Sequence, residues 1–163
     1  MDEERFWELI EDAWAAESEV ASRRAALVGG DGDREAVAAI VQEACDVVVE
    51  ELRTVLAELP KDELLAFDRI LERKLYEIDR EEIHEVTDGS DDGFLYCRGF
   101  IVSAGREFYE AVDRDPSLAI VDAECETMTY VSFHLFAERF GEAAWTRSEI
   151  SRESGSNASG WGE

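Results

Sequence analysis

The chain has 163 residues, enough for one real hydrophobic core, and sets 40 acidic residues against 16 basic ones for a formal net charge of -24. That balance argues against direct binding to DNA, RNA or an anionic membrane, all of which reward clustered Lys and Arg. It suits a basic protein partner, or none. Lys61 and Lys74 are the only lysines, a bias that genome composition or a salty cytoplasm imposes on many proteins.

Asp2 and Glu3 open a helical pattern in which Phe6, Leu9, Ile10, Ala13, Trp14, Val20, Leu27 and Val28 share a face, and Gly29 and Gly30 end it. A second helix is expected from about Asp33 to Leu59, with Val37, Val41, Ala44, Val48 and Leu52 inward. Its DVVVEEL middle has strand-like composition, but the flanking period is helical, and Pro60 breaks it. A third helix should run from Lys61 to about Glu85. Leu64, Phe67, Leu71, Leu75 and Ile78 form its apolar stripe, with Asp68 inside that stripe.

The stretch from Asp88 to Pro116 reads as the organising element, a long central helix with the others packed around it. Ser90 or Asp91 caps its start, and the carboxylates of Asp91 and Asp92 favour the positive end of its dipole. Phe94, Ile101, Gly105, Phe108 and Val112 share one side, with Cys97 and Tyr109 at the margins and Arg98 within the stripe. A buried guanidinium needs a partner, because it keeps its proton. Two facing stripes that each hold one opposite charge predict a core ion pair between Asp68 and Arg98.

Asp115-Pro116 supplies a cap and first-turn proline for a fifth helix. It gathers Leu118, Val121, Cys125, Met128, Ser132, Leu135 and Phe136 and stops at Gly141. Five helical patterns without strand alternation predict an all-α bundle of about five helices over residues 1–144. Residues 145–163 turn Ser- and Gly-rich, with Trp161 the only aromatic group beyond Trp145. They read as a flexible tail whose deletion after Arg147 leaves stability almost unchanged.

The run Ser90-Asp91-Asp92-Gly93-Phe94, followed by Tyr96, Arg98, Gly105-Arg106, Tyr109 and Asp115-Pro116, resembles the signature of a bacterial family, domain-of-unknown-function family 4240. Phe6-Trp7-Glu8-Leu9-Ile10 fits it too. The resemblance covers roughly Met1 to Phe140 and implies a small, mainly helical protein of a kind common in actinobacteria, with no activity to carry over. An acidic residue at Asp68 and an arginine at Arg98 both look like family features. Cys97 stands where an aromatic is expected, and HEVTDG lacks the small, apolar character usual before Ser90.

Chemical motifs are sparse. Asp88, Ser90 and Asp92 alternate as in the opening of a calcium loop, with Gly93 at the turn, but the position of the bidentate Glu falls on Gly99. His84, Asp88 and Asp92 form at best a loose divalent-metal candidate, and a simple helix cap is the better reading. His134 reads as a surface or interface histidine. Trp7 and Trp14, seven residues apart, fit a core role better than an exposed patch for a partner. Nucleophile and phosphate-loop signals are missing, so no cofactor and no metal is expected. Cys45, Cys97 and Cys125 read as reduced core thiols. The acidic N-terminus and the lack of a spanning apolar run place the protein in the cytoplasm.

The leading expectation is a non-catalytic acidic helical module that binds or regulates a protein. The alternative is an enzyme or small-ligand protein with a polar pocket between the third and fourth helices, using Asp68, Arg98, Asp91, Asp92 and Tyr109. Room for a ligand between those groups favours the alternative, and a tightly filled contact favours the module.

Overall fold

A computed structural model describes residues 1–29, 33–87 and 90–162, with nothing stated for the side chains of Asp91 and Ala143. Among the described residues the regular structure is helical, without strands. The helices longer than one turn are α1 (Glu3–Ala13), α2 (Arg34–Ala57), α3 (Lys61–Glu77), α4 (Glu81–Thr87), α5 (Asp91–Ser103), α6 (Arg106–Arg114) and α7 (Glu126–Phe140). Among the described residues the expected count of about five is therefore corrected to seven.

The starts follow local chemistry. Asp2 accepts from the Arg5 amide at 2.9 Å, Asp33 from the Ala36 amide at 3.1 Å, and Ser90 Oγ from the Gly93 amide at 3.2 Å. Each satisfies an amide that the first helical turn leaves without a partner. Pro60 precedes α3 as expected, and the Val-rich middle of α2 is helical.

Breaks account for the extra helices. The expected first helix stops at Ala13 and continues only as short turns through Leu27. The expected third divides between Glu77 and Glu81, giving α3 and α4. The central helix divides at Gly105, whose φ of 101° and ψ of 171° only glycine adopts readily. A Cβ there would also lie 2.4 Å from a Glu11 carboxylate oxygen and 2.5 Å from an Arg24 nitrogen. The last carbonyls of α5 find donors from the N-terminal segment: Trp14 Nε1 donates to Ser103 at 2.8 Å and Arg24 to Ala104 at 2.9 Å. Asp115-Pro116 caps only a short turn, Pro116–Leu118, so α7 begins ten residues later than expected.

The packing centre is shared. α5, from the Asp88–Pro116 stretch, and α7 pack on each other, and each also touches α2 and α3. Phe6, Leu9 and Ile10 of α1, Val41, Val48 and Leu52 of α2, Phe67, Leu71 and Leu75 of α3, Phe94 and Ile101 of α5, and Met128, Leu135 and Phe136 of α7 are buried in one core. Trp7 and Trp14 belong to it, which bears out the core reading of both.

Cys45 on α2 and Cys125 at the start of α7 form a disulfide across 80 residues, with Cα atoms 6.3 Å apart. Both had been expected as reduced thiols. Spacing along the chain carried no sign of a pairing that only the α2–α7 packing creates. Cys97 is free and buried. No helix of the described residues is long and apolar enough to cross a membrane.

Candidate functional site

α3 brings two carboxylates into the interior, Asp68 within the helix and Asp79 just beyond its end, both fully buried. α5 brings Arg98, also fully buried. Opposite-charge groups in one interior suggest mutual pairing, yet no ion pair joins Asp68 to Arg98 among the described residues. The partners come instead from the segment after α7, which crosses the faces of α3, α5 and α7.

Arg152 of that segment places Nη2 at 3.0 Å from both oxygens of Asp68, and Nη1 donates to the Thr129 carbonyl at 2.5 Å. Its guanidinium carbon stands 5.2 Å from the centre of the Tyr130 ring, and Glu72 adds a second carboxylate at 3.9 Å. Ser132 donates to Asp68 at 2.8 Å. This is a guanidinium slot: a carboxylate and a carbonyl in the plane and an aromatic face beside it. The Asp68–Arg98 expectation is thus replaced by Asp68–Arg152. The helical stripe correctly showed that Asp68 needs a cation, but the cation sits in a segment with no helical pattern to place it.

Asp79 is held differently. Its oxygens accept from the amides of Gly155 at 3.0 Å and Asn157 at 2.9 Å, from Trp161 Nε1 at 3.1 Å and from Ser156 Oγ at 3.4 Å. Asn157 donates its side-chain amide to the Tyr76 carbonyl at 3.1 Å. Backbone amides curled around one carboxylate neutralise it without a formal counter-charge. Farther on, the Gly160 carbonyl accepts from the first amide of α4, Glu81, at 2.9 Å. A Cβ at Gly160 would stand 2.6 Å from the Asp79 carbonyl oxygen, so the approach there requires glycine. Trp161 closes the run against Phe94 and His84, at ring distances of 5.9 and 5.3 Å.

Arg98 is the least well matched member. It donates to the Leu75 carbonyl at 2.8 Å and to Ser154 Oγ at 3.0 Å, and its carbon lies 4.8 Å from the Phe94 ring centre. Its Nε is buried without a hydrogen-bond partner. Burial brings its pKa down to about 10, opposed by the fields of Asp79 and Glu153. A buried cation with only neutral acceptors in contact is costly unless nearby carboxylates offset it.

The segment predicted to be a flexible tail is therefore docked. Arg152 and Asn157 are buried, and the carboxylates of α3 find their donors in it. Between it and α3 lies an open cleft of about 540 Å³ that includes Arg69, Glu72, Tyr76, Trp145, Ser148 and Ile150.

The remaining candidates scatter. Tyr109 sits apart on α6, its hydroxyl 3.1 Å from both the Lys74 carbonyl and a Glu77 oxygen. Burial, followed by the field of Glu77, raises its pKa. Lys74 bonds Glu77 at 2.9 Å and Glu3 at 3.0 Å; burial pulls its pKa down, but these partners outweigh it and the net shift is upward. Asp92 is exposed at the start of α5. Asp88 and the side chain of Asp91 lie outside the described residues. His84 packs its ring against Phe94 and Trp161, and no group of three His, Cys, Asp or Glu side chains among the described residues could hold a metal. His134 is exposed beside Tyr130.

Sequence reasoning missed Asp79, Arg152, Ser154 and Asn157. Two signals were available in the last segment: a lone Arg152 amid Ser and Gly, and Trp161 where a solvated tail needs no aromatic.

A helical bundle with an enclosed ionic site defines the class. Residues 1–144 match the family described as "Protein of unknown function (DUF4240)", and the chain belongs to that family. Neither a curated protein nor a solved structure matches it. The matched residues include Asp68, Asp79 and Arg98, whereas Arg152, Ser154, Asn157 and Trp161 lie beyond them.

Proposed function

We propose that this protein is a non-catalytic acidic helical module that binds a protein partner with a basic surface. The observation that carries the reading is the filled ionic site. Asp68 is enclosed by Arg152 and Ser132 with no space for a reacting molecule between them, so its charge serves recognition and architecture rather than turnover. The surface supports the same reading. Cations are largely engaged within the molecule, Arg24 on Glu11, Arg53 on Glu138, Lys74 on Glu3 and Glu77, and Arg106 on Glu4 and Glu110. Much of the acidic excess is left to face outward.

An acidic field of this kind speeds encounter with a basic partner and weakens as salt screens it. The test is capture from a lysate of its own cells over a series of ionic strengths, with bound proteins and small molecules identified by mass spectrometry. The expected outcome is a basic protein released as salt rises from about 0.05 to 0.5 M. Capture of a partner that stays bound across that range would contradict the electrostatic reading. A stoichiometric small molecule instead would favour an enzyme or ligand-binding pocket around Asp68 and Arg98.

A further inference from the structure

We propose that the cleft between α3, α5 and α7 is a receptor for an arginine-bearing, Ser/Gly-rich peptide segment of a partner protein, and that residues 148–162 of this chain occupy it as a built-in competitor. The inference rests on the protein-binding reading above and names its site and ligand class.

Three observations carry it. First, the receptor groups and the occupying groups fall on opposite sides of the family boundary. Asp68, Asp79 and Arg98 lie within the matched residues 1–144, and apart from Ser132 on Asp68 and the Leu75 carbonyl on Arg98, the hydrogen-bonding groups described on them lie after it. Without the segment, Asp68, Asp79 and Arg98 would lose the partners that Arg152, Gly155, Asn157 and Ser154 give them. Second, the contacts are those of peptide recognition. One arginine enters a slot made by Asp68, the Thr129 carbonyl and the Tyr130 face, and the following turn offers backbone amides to Asp79. Side-chain anchoring at one point with main-chain bonds beyond it is the way extended segments are held by grooves. Third, the fit is incomplete. Arg98 meets a hydroxyl, a carbonyl and the Phe94 ring, its Nε has no hydrogen-bond partner, and an open cleft of about 540 Å³ runs beside the segment. An occupant that leaves a buried cation unsatisfied can be displaced by one that serves it better.

Charge selects the ligand. Asp68, Glu72 and Asp79 line the groove against Arg98 and Arg69, the latter 3.1 Å from Glu72 and 3.9 Å from Asp68, so the balance is still negative and a cationic segment is favoured over an acidic one. Arginine is preferred to lysine, because a point-charge ammonium cannot address Asp68 and the Thr129 carbonyl together while stacking on Tyr130.

The test uses the full chain with a protease recognition sequence inserted after the exposed Arg147, folded first and then cleaved. A fluorescent synthetic peptide of residues 148–162 is added, and its exchange with the severed segment is followed by anisotropy. The expected result is retention of the fold by circular dichroism, saturable uptake of the labelled peptide, and competition by unlabelled peptides. An Arg152→Ala peptide should compete at least about 30-fold less well, with Arg152→Lys also weakened. Loss of the folded signal on cleavage, or refusal of any peptide, would make the segment an ordinary part of the core and overturn the proposal. Equal competition by the Arg152→Ala peptide would overturn it as well. If a basic protein is still captured in a salt-dependent way after any of these failures, the module binds through another surface, and only the cleft assignment falls.

Discussion

Asp68 and Arg152 form a buried charge pair from residues 84 apart in the chain, with the carboxylate fully enclosed and the arginine nearly so. Removing one member leaves the other buried without its main partner, Asp68 keeping Ser132 and, at 3.9 Å, Arg69, at a cost of up to roughly 3–5 kcal/mol, whereas replacing both with apolar groups recovers much of it. A urea-denaturation cycle on Asp68→Leu and Arg152→Met should therefore show strong coupling. Additive effects would contradict the pairing. Cys97 offers a second test. Burial, with the fields of Glu124 and Asp122, pushes its thiol from about 9 up to about 12. Between those values the unfolded chain binds fewer protons than the folded one, so this contribution to stability is complete below about pH 9 and is lost as pH rises toward 12. Melting temperature should fall between pH 8.5 and 10 in the parent chain and fall less in Cys97→Ala. An equal fall in both would show that the thiol already ionises in the folded protein.

At the scale of elements, the junction between α3 and α4 matters most. Asp79 sits in that junction and gathers two amides, a hydroxyl and an indole of the last segment. Asp79→Ala should release that segment first, seen as faster amide hydrogen exchange over residues 155–162 with α1 and α2 still protected. Protection unchanged at Gly155 and Asn157 would refute this role.

Much of the helical layout was legible, because Asp2, Asp33, Pro60 and Ser90 mark starts by local chemistry and apolar residues repeat at the helical period. The breaks were harder to read. Leu71, Leu75 and Ile78 keep their spacing up to the turn at Asp79, and Gly105 lies on the apolar face of an otherwise continuous pattern, so periodicity alone runs through both. Asp68 and Arg98 were identifiable as buried charges from their stripes. Their actual partners were not, since Arg152 and Ser154 follow no period, and a segment short of apolar area looks unstructured even when its amides and hydroxyls satisfy buried carboxylates.

For the whole molecule, two long-range ties supplement the core: the Cys45–Cys125 bridge from α2 to α7, and the docked segment after α7. The bridge persists where thiols are oxidised. Under reducing conditions the α2–α7 packing would keep the two cysteines adjacent without it. The segment is tied by polar bonds to groups that water could partly solvate if it left, so its loss should weaken the bundle without dissolving it. The central claim is that residues 148–162 are part of the folded structure because Asp68 and Asp79 require them. The direct measurement is the thermal melting of a chain ending at Arg147 beside the full chain. The account predicts a fall of roughly 5–10 °C, equivalent to about 2–3 kcal/mol, with a cooperative helical transition retained. A melting temperature indistinguishable from that of the full chain would contradict it.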